Sequence, residues 1–156
     1  MKQTHKKVIQ ALTELVDKPL VFKSSDSYYW SPADSTVFYQ DSDASEVGIW
    51  TLLHEASHGI LGHKNYNSDY ELLLMENDAW QEAKKIAQKL KIDIDEDHIQ
   101  DCLDSYRDWH YKRSQCVNCS VGGIQLNQKT YTCVFCSSTW NVSKERFCRP
   151  YRLKTT

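Results

Sequence analysis

The sequence predicts an α+β chain in which a short sheet and several helices precede a small module held by cysteines. Three observations carry that expectation. Apolar residues recur at helical spacing over residues 3–17, 44–62, 70–90 and 95–111. Short aromatic and β-branched runs fall at 20–22, 28–30 and 36–39. Two C-x-x-C pairs occupy the last third of the chain. A length of 156 residues with 40% hydrophobic and 12% aromatic side chains is enough for one cored domain and a small appendix.

The first helix places Val8, Leu12, Leu15 and Val16 on one side. Leu20-Val21-Phe22 reads as a strand, and Tyr28-Tyr29-Trp30 with Thr36-Val37-Phe38-Tyr39 as a hairpin around Ser31-Pro32-Ala33-Asp34. Asp43-Ala44-Ser45-Glu46 has the form of a helix cap with Glu at the third position, opening a helix that runs to about Gly62. From Tyr70 to Leu90, Leu72, Leu73, Ala79, Trp80, Ala83, Ile86, Ala87 and Leu90 line one face, while Asp78, Glu82, Lys85 and Lys89 line the other. Glu76 breaks the pattern. It stands three or four residues from Leu72, Leu73, Ala79 and Trp80, on the apolar stripe, where a carboxylate is costly unless a positive charge meets it. A last helix, from Asp95 to about Tyr111, points Ile99, Cys102, Leu103, Tyr106 and Trp109 inward, and residues 112–156 read as short strands and turns around the cysteines.

Charge divides the chain. Residues 1–111 carry eleven Lys/Arg against twenty Asp/Glu, a balance of −9; residues 112–156 carry eight Lys/Arg against Glu145 alone, a balance of +7. The shift sets a module boundary near Lys112. No apolar run approaches a membrane span, and the basic start is followed by a stretch broken by Gln10, Glu14, Asp17 and Lys18, unlike a signal peptide. The expected location is therefore the cytoplasm, with no membrane partner.

The densest chemistry lies at His54-Glu55-Ala56-Ser57-His58. On a helix the two histidines, four apart, reach one ion, and Glu55 sits where it can hold an activated water and take its proton. A catalytic zinc takes three protein ligands and leaves a position open. His63 stands a turn and a half further on and does not readily turn back to the same ion. Lys64 and Leu61 occupy the positions where a metzincin needs histidine and glycine, which removes that class. Glu76, on the apolar face of the next helix, fits as the third ligand. Small Ser57 and Gly59 permit close helix packing, and a strand near Thr36–Tyr39 could pair with an extended peptide across the cleft. His5 and His98 are expected to be exposed, and Tyr106 and His110 to belong to a packed aromatic helix.

The run from Thr51 to His63, with Glu76-Asn77-Asp78-Ala79-Trp80 after it, resembles the ImmA/IrrE-like metallopeptidases, small gluzincins with a leucine-rich HExxH helix, a trailing histidine and a downstream ExxA. The resemblance covers about residues 28–90. It implies that His54, His58 and Glu76 bind a catalytic zinc, that Glu55 is the catalytic base, and that His63 matches a histidine that is not a ligand. This chain departs from the pattern in Ala56-Ser57, where Ile or Leu and Gly are usual, and in Trp80. Many members are paired with a helix-turn-helix domain or a repressor, and neither is recognisable here.

Cys116-Val117-Asn118-Cys119 and Cys133-Val134-Phe135-Cys136, thirteen residues apart, suit a zinc ribbon, with Gly122-Gly123 supplying the first knuckle's turn and 124–126 pairing with 131–132. Cys102 reads as core and Cys148 as an ordinary small residue. Lys144, Arg146, Arg149, Arg152 and Lys154, interleaved with Trp140, Phe147 and Tyr151, suit a nucleic-acid backbone with stacking platforms; docking on the acidic first module suits the same charges equally.

The full expectation is a zincin-like metallopeptidase domain over 1–111 and a zinc ribbon with a basic tail over 112–156. Its zincs would be one catalytic and one structural, and its substrate a protein or peptide cut by a metal-activated water. The alternative is a nucleic-acid-associated regulator in which the same fold only binds. A crosslink protease resembling the SprT-like group needs a third histidine ligand, and none lies between His63 and His98.

Overall fold

The structure, a computed structural model, describes residues 4–143 and 152–153. Cys148 and the tail residues Lys144, Arg146, Phe147, Arg149, Tyr151 and Lys154 lie outside the described residues. The chain is a mixed α+β fold that divides into two compact units, Met1–Asn65 with Met75–Ile99 and Tyr66–Leu74 with Gln100–Thr156. This division does not coincide with the charge shift near Lys112, because most of the last helix belongs with the cysteine module. No helix among the described residues is long and apolar enough to cross a membrane.

In the first unit, α1 (His5–Leu15) starts at Thr4, whose hydroxyl accepts from the Lys7 N–H, and buries Val8 and Leu12. His5 is buried, not exposed. Its Nε2 lies 3.0 Å from the Tyr28 hydroxyl, its ring stacks on Tyr39, and the Tyr28 hydroxyl donates to Asp43 Oδ2 at 3.0 Å. A polar residue at a helix start looks solvated in sequence; partners 23 and more residues away reverse that.

Strands β1 (Val21–Ser24), β2 (Tyr29–Ser31) and β3 (Thr36–Tyr39) form a sheet in the order β1-β3-β2. The hairpin is present, with β2 antiparallel to β3, while β1 is parallel to β3. Because β3 is central, both of its edges are already paired. The expectation that Thr36–Tyr39 could pair with a peptide is thereby overturned; the open edges belong to β1 and β2.

Helix α2 (Glu46–Leu61) is capped by Ser45 rather than Asp43. The Ser45 hydroxyl accepts from the Gly48 N–H at 2.9 Å, and Asp43 Oδ1 accepts from the Ser45 N–H, holding the cap residue itself. Gly62 ends the helix in the left-handed region at φ 70°, and Lys18 Nζ donates to the Gly59 carbonyl at 2.8 Å. Gly59 lies against Leu20, just before β1, and Trp30 of β2 rather than another helix: a Cβ there would come within 2.9 Å of Leu20 and the Trp30 ring.

Helix α3 (Asp69–Leu90) buries Leu72, Ala79, Trp80, Ala83, Ile86 and Ala87 with Glu76 among them, and leaves Asp78 exposed. Helix α4 (Glu96–Ser114) buries Ile99, Leu103 and Trp109. His98 is half-buried, not exposed, with ring centroids 5.2 Å from Trp50 and 5.8 Å from Trp80.

The second unit carries a sheet of β4 (Ile124–Asn127), β5 (Thr130–Thr132), β6 (Thr139–Val142) and β7 (Arg152–Leu153), each antiparallel to the next. Its core is Cys116, Tyr131, Cys133, Trp140 and Val142. The knuckle turns rest on Ser120 (φ 59°) and Ser137 (φ 62°), whose N–H groups donate to the carbonyls of Cys116 and Cys133 at 3.1 and 2.9 Å. Gly122 is therefore not the turn residue. Gly123 is required for another reason: a Cβ there would run into the Trp140 ring and lie 2.9 Å from the Thr132 carbonyl oxygen.

A buried ion pair braces this unit. Arg113 and Asp69 are each 2% exposed, with Nε–Oδ2 at 2.7 Å and Nη2–Oδ1 at 3.2 Å. The Tyr131 hydroxyl donates to Asp69 Oδ2 at 2.7 Å, and the Asp69 N–H donates to Gln125 Oε1 at 2.8 Å. Arg113 also donates to the Ser143 carbonyl, stands 4.5 Å over the Trp109 ring, and accepts the Trp140 indole N–H on its own carbonyl. Burial, then the bond to Asp69, raises the Tyr131 pKa well above the tyrosine range, so the hydroxyl stays a donor.

Removing one partner of such a pair leaves an uncompensated buried charge, at a cost of about 3–5 kcal/mol. Asp69→Asn, close in size, is expected to lower stability to urea by that amount. A loss under about 1 kcal/mol would show that the pair does not brace the unit.

Candidate metal centres

Helix α2 turns one buried face toward α3. On it, His54 and His58 are 6% and 7% exposed, and Glu76 of α3 is 6% exposed. His54 Nε2 lies 3.1 Å from Glu76 Oε2 and 3.1 Å from His58 Nε2, and His58 Nε2 lies 3.5 Å from Glu76 Oε1. One ligand atom from each of the three residues converges within 4.8 Å. His63 is not one of the three.

The donor set fits a zinc-sized ion. Nitrogen and oxygen ligands held about 2.0–2.1 Å from a tetrahedral ion lie about 3.3–3.4 Å from one another, close to the separations found. Two imidazole nitrogens aimed at each other need something between them, a proton or a cation. The buried Nδ1 of His54 has no hydrogen-bond partner among the described residues. The flat face of that ring lies on Trp80, with centroids 4.3 Å apart and planes at 23°.

Charge agrees with the geometry. Burial disfavours the ionised Glu76, yet the hydrogen bonds and charges of His54 and His58 outweigh it and hold the carboxyl far below its ordinary range. Burial likewise opposes protonation of His58, but Glu76 and then Glu55 raise its pKa above the usual histidine value. For His63 the burial effect, reinforced by His58, wins and keeps the ring neutral at lower pH than usual. Glu76 is thus an anion among rings that would otherwise compete for protons.

Glu55 projects from the same helix, and its Oε2 accepts the Trp30 backbone N–H at 2.9 Å. The Trp30 indole N–H donates to the His63 carbonyl at 2.8 Å, and His63 Nδ1 lies 2.8 Å from His58 Nδ1. The role of Trp30 is not signalled by sequence. Trp30 is 25 residues from Glu55. For His63 the only clue was Gly62, whose left-handed turn reverses the chain and lets a residue five positions on face back toward His58.

The second group is Cys116, Cys119, Cys133 and Cys136. Sulfur separations are 3.5 Å for Cys116–Cys136, 3.5 Å for Cys119–Cys133 and 3.7 Å for Cys119–Cys136. Four thiolates about 2.3 Å from a tetrahedral ion would lie about 3.8 Å apart, so the knuckles suit zinc and not a disulfide, whose sulfurs are about 2.0 Å apart. The Ser138 hydroxyl and N–H pull the Cys136 thiol down to about 6. Backbone bonding favours the Cys119 thiolate, but burial and the neighbouring thiols push its pKa up to about 12. Four such sulfurs ionise together only around a cation.

No family model, curated protein or solved structure matches the chain. The assignment of the two groups rests on their geometry.

Metal analysis of purified protein is expected to find two zincs per chain, one lost in Glu76→Gln and the other in Cys119→Ser. One zinc in the wild type, or two in Glu76→Gln, would refute the histidine–glutamate centre. Zinc must displace the proton that Glu76 stabilises on His58, so its affinity there is expected to fall as pH drops from 8 to 6. A pH-independent titration over that range would contradict the ligand assignment.

Proposed function

We propose that the chain is a zinc-dependent endopeptidase, with the catalytic zinc on His54, His58 and Glu76, and with Glu55 as general base. The observation that carries this reading is the company Glu55 keeps: a half-buried carboxylate beside a three-ligand group, held by the Trp30 N–H. Three protein ligands leave a coordination position open, as hydrolytic zinc sites do. The likeness of residues 51–63 and 76–80 to the ImmA/IrrE-like peptidases supports the same reaction and a zincin-like fold.

When bound, zinc would lower the pKa of a water to about 7 and polarise the scissile carbonyl. The remaining work falls to the chain. With Oε2 fixed by Trp30, Glu55 offers Oε1 to take a proton from the attacking water and pass it to the leaving amine. Trp80 seals one face of His54 and keeps its ring from turning. The cysteine module serves as a zinc ribbon that recruits substrate, DNA or a partner.

Glu55→Gln preserves size and an acceptor for the Trp30 N–H but cannot shuttle the proton. It is expected to cut an unfolded protein about 10²–10⁴-fold more slowly while keeping both metals. Equal rates in the two proteins would end the hydrolytic mechanism.

A second reading, a nucleic-acid-associated regulator, is favoured by the +7 balance of residues 112–156 and by the exposed knuckle side chains Val134 and Phe135, 67% and 78% exposed. It requires DNA or RNA affinity that weakens with salt and is the same in Glu55→Gln.

A further inference from the structure

We propose that His63 and Trp30 are positioning residues that hold the metal-binding face of α2 in register, through one chain of hydrogen bonds. His54 and His58 both turn Nε2 toward Glu76. For His58 to donate that nitrogen's lone pair to a metal, its ring proton must sit on Nδ1. The partner placed to receive it is His63 Nδ1, 2.8 Å away, which fixes the His63 proton on Nε2. His54 has no equivalent among the described residues, where its buried Nδ1 has no hydrogen-bond partner. His63 therefore carries the tautomer control that two histidine ligands would ordinarily divide between them.

His63 in turn needs its backbone held, because it follows the helix end. Its N–H donates to the His58 carbonyl at 2.9 Å, and its carbonyl receives the Trp30 indole N–H at 2.8 Å. The same tryptophan donates its backbone N–H to Glu55, and its ring fills the space that Gly59 leaves. One residue of β2 thus touches the expected base directly and reaches a metal ligand through His63. A Cβ at position 59 would press on the Trp30 ring, which explains why a glycine follows the second motif histidine.

The inference rests on the metal-centre reading, and the test separates the two. Zinc affinity at the histidine–glutamate group is measured by chelator competition in the full chain, for wild type, His63→Leu, His63→Asn and Trp30→Phe. Asparagine places a carbonyl oxygen near the position of the lost Nδ1; leucine offers only bulk.

His63→Leu is expected to bind zinc about ten- to a hundred-fold more weakly, with the cysteine-bound zinc unchanged and with His63→Asn recovering most of the loss. Trp30→Phe, which keeps the ring but not the indole N–H, is expected to weaken binding in the same direction and less. His63→Leu as tight as wild type, or leucine and asparagine variants equally weak, would reduce His63 to packing and overturn the proposal while leaving the metal centre intact. Absence of zinc from this group in the wild type would overturn both.

Discussion

A carboxylate on the apolar face of a helix is the constraint around which the first unit is organised. Glu76 lies between side chains that are all but fully buried, and it keeps its charge because two imidazoles from a second helix meet it at hydrogen-bonding distance. That arrangement ties α2 to α3, and Trp80 of α3 stacks on the His54 ring beside it. It also leaves the cluster with more donors for a cation than protons can satisfy well. An isolated buried carboxylate would neutralise or force its helix outward; this one is met by partners shaped like a coordination sphere.

The cysteine module solves a related problem by other means. Its core is small, and two of its five buried members are the thiols Cys116 and Cys133. Tyr131 and Trp140 supply most of the remaining apolar bulk, and Arg113 with Asp69 adds a paired charge beside them. A unit of this size gains little from burial alone, so four sulfurs grouped as a candidate metal site and a fully hydrogen-bonded ion pair suit it.

Much of this was readable in the sequence, for identifiable reasons. Helices long enough to show several turns of periodicity were evident, and Glu76 stood out because it broke its own stripe. Paired C-x-x-C spacing brought the four sulfurs together on paper as it does in space. What stayed hidden was contact at a distance. His5 is buried by Tyr28 and Tyr39, His98 lies between two tryptophans, and Trp30 reaches Glu55 across 25 residues. Sheet order was equally out of reach: nothing in residues 21–39 says that the third strand lies in the middle. The cap and knuckle assignments missed by two or three residues, because Asp43 and Gly122 have the right chemistry for tasks that Ser45, Ser120 and Ser137 perform.

The open edge of β2 has one more implication. Trp30 sits where its N–H points away from β3, the direction in which an added strand would seek a donor. That donor is already engaged by Glu55. A chain laid along β2 and the carboxylate on α2 compete for a single proton, so the edge cannot be extended without loosening Glu55, and Glu55 cannot be held without blunting the edge. Occupancy of the strand and freedom of the carboxylate are two readings of one bond.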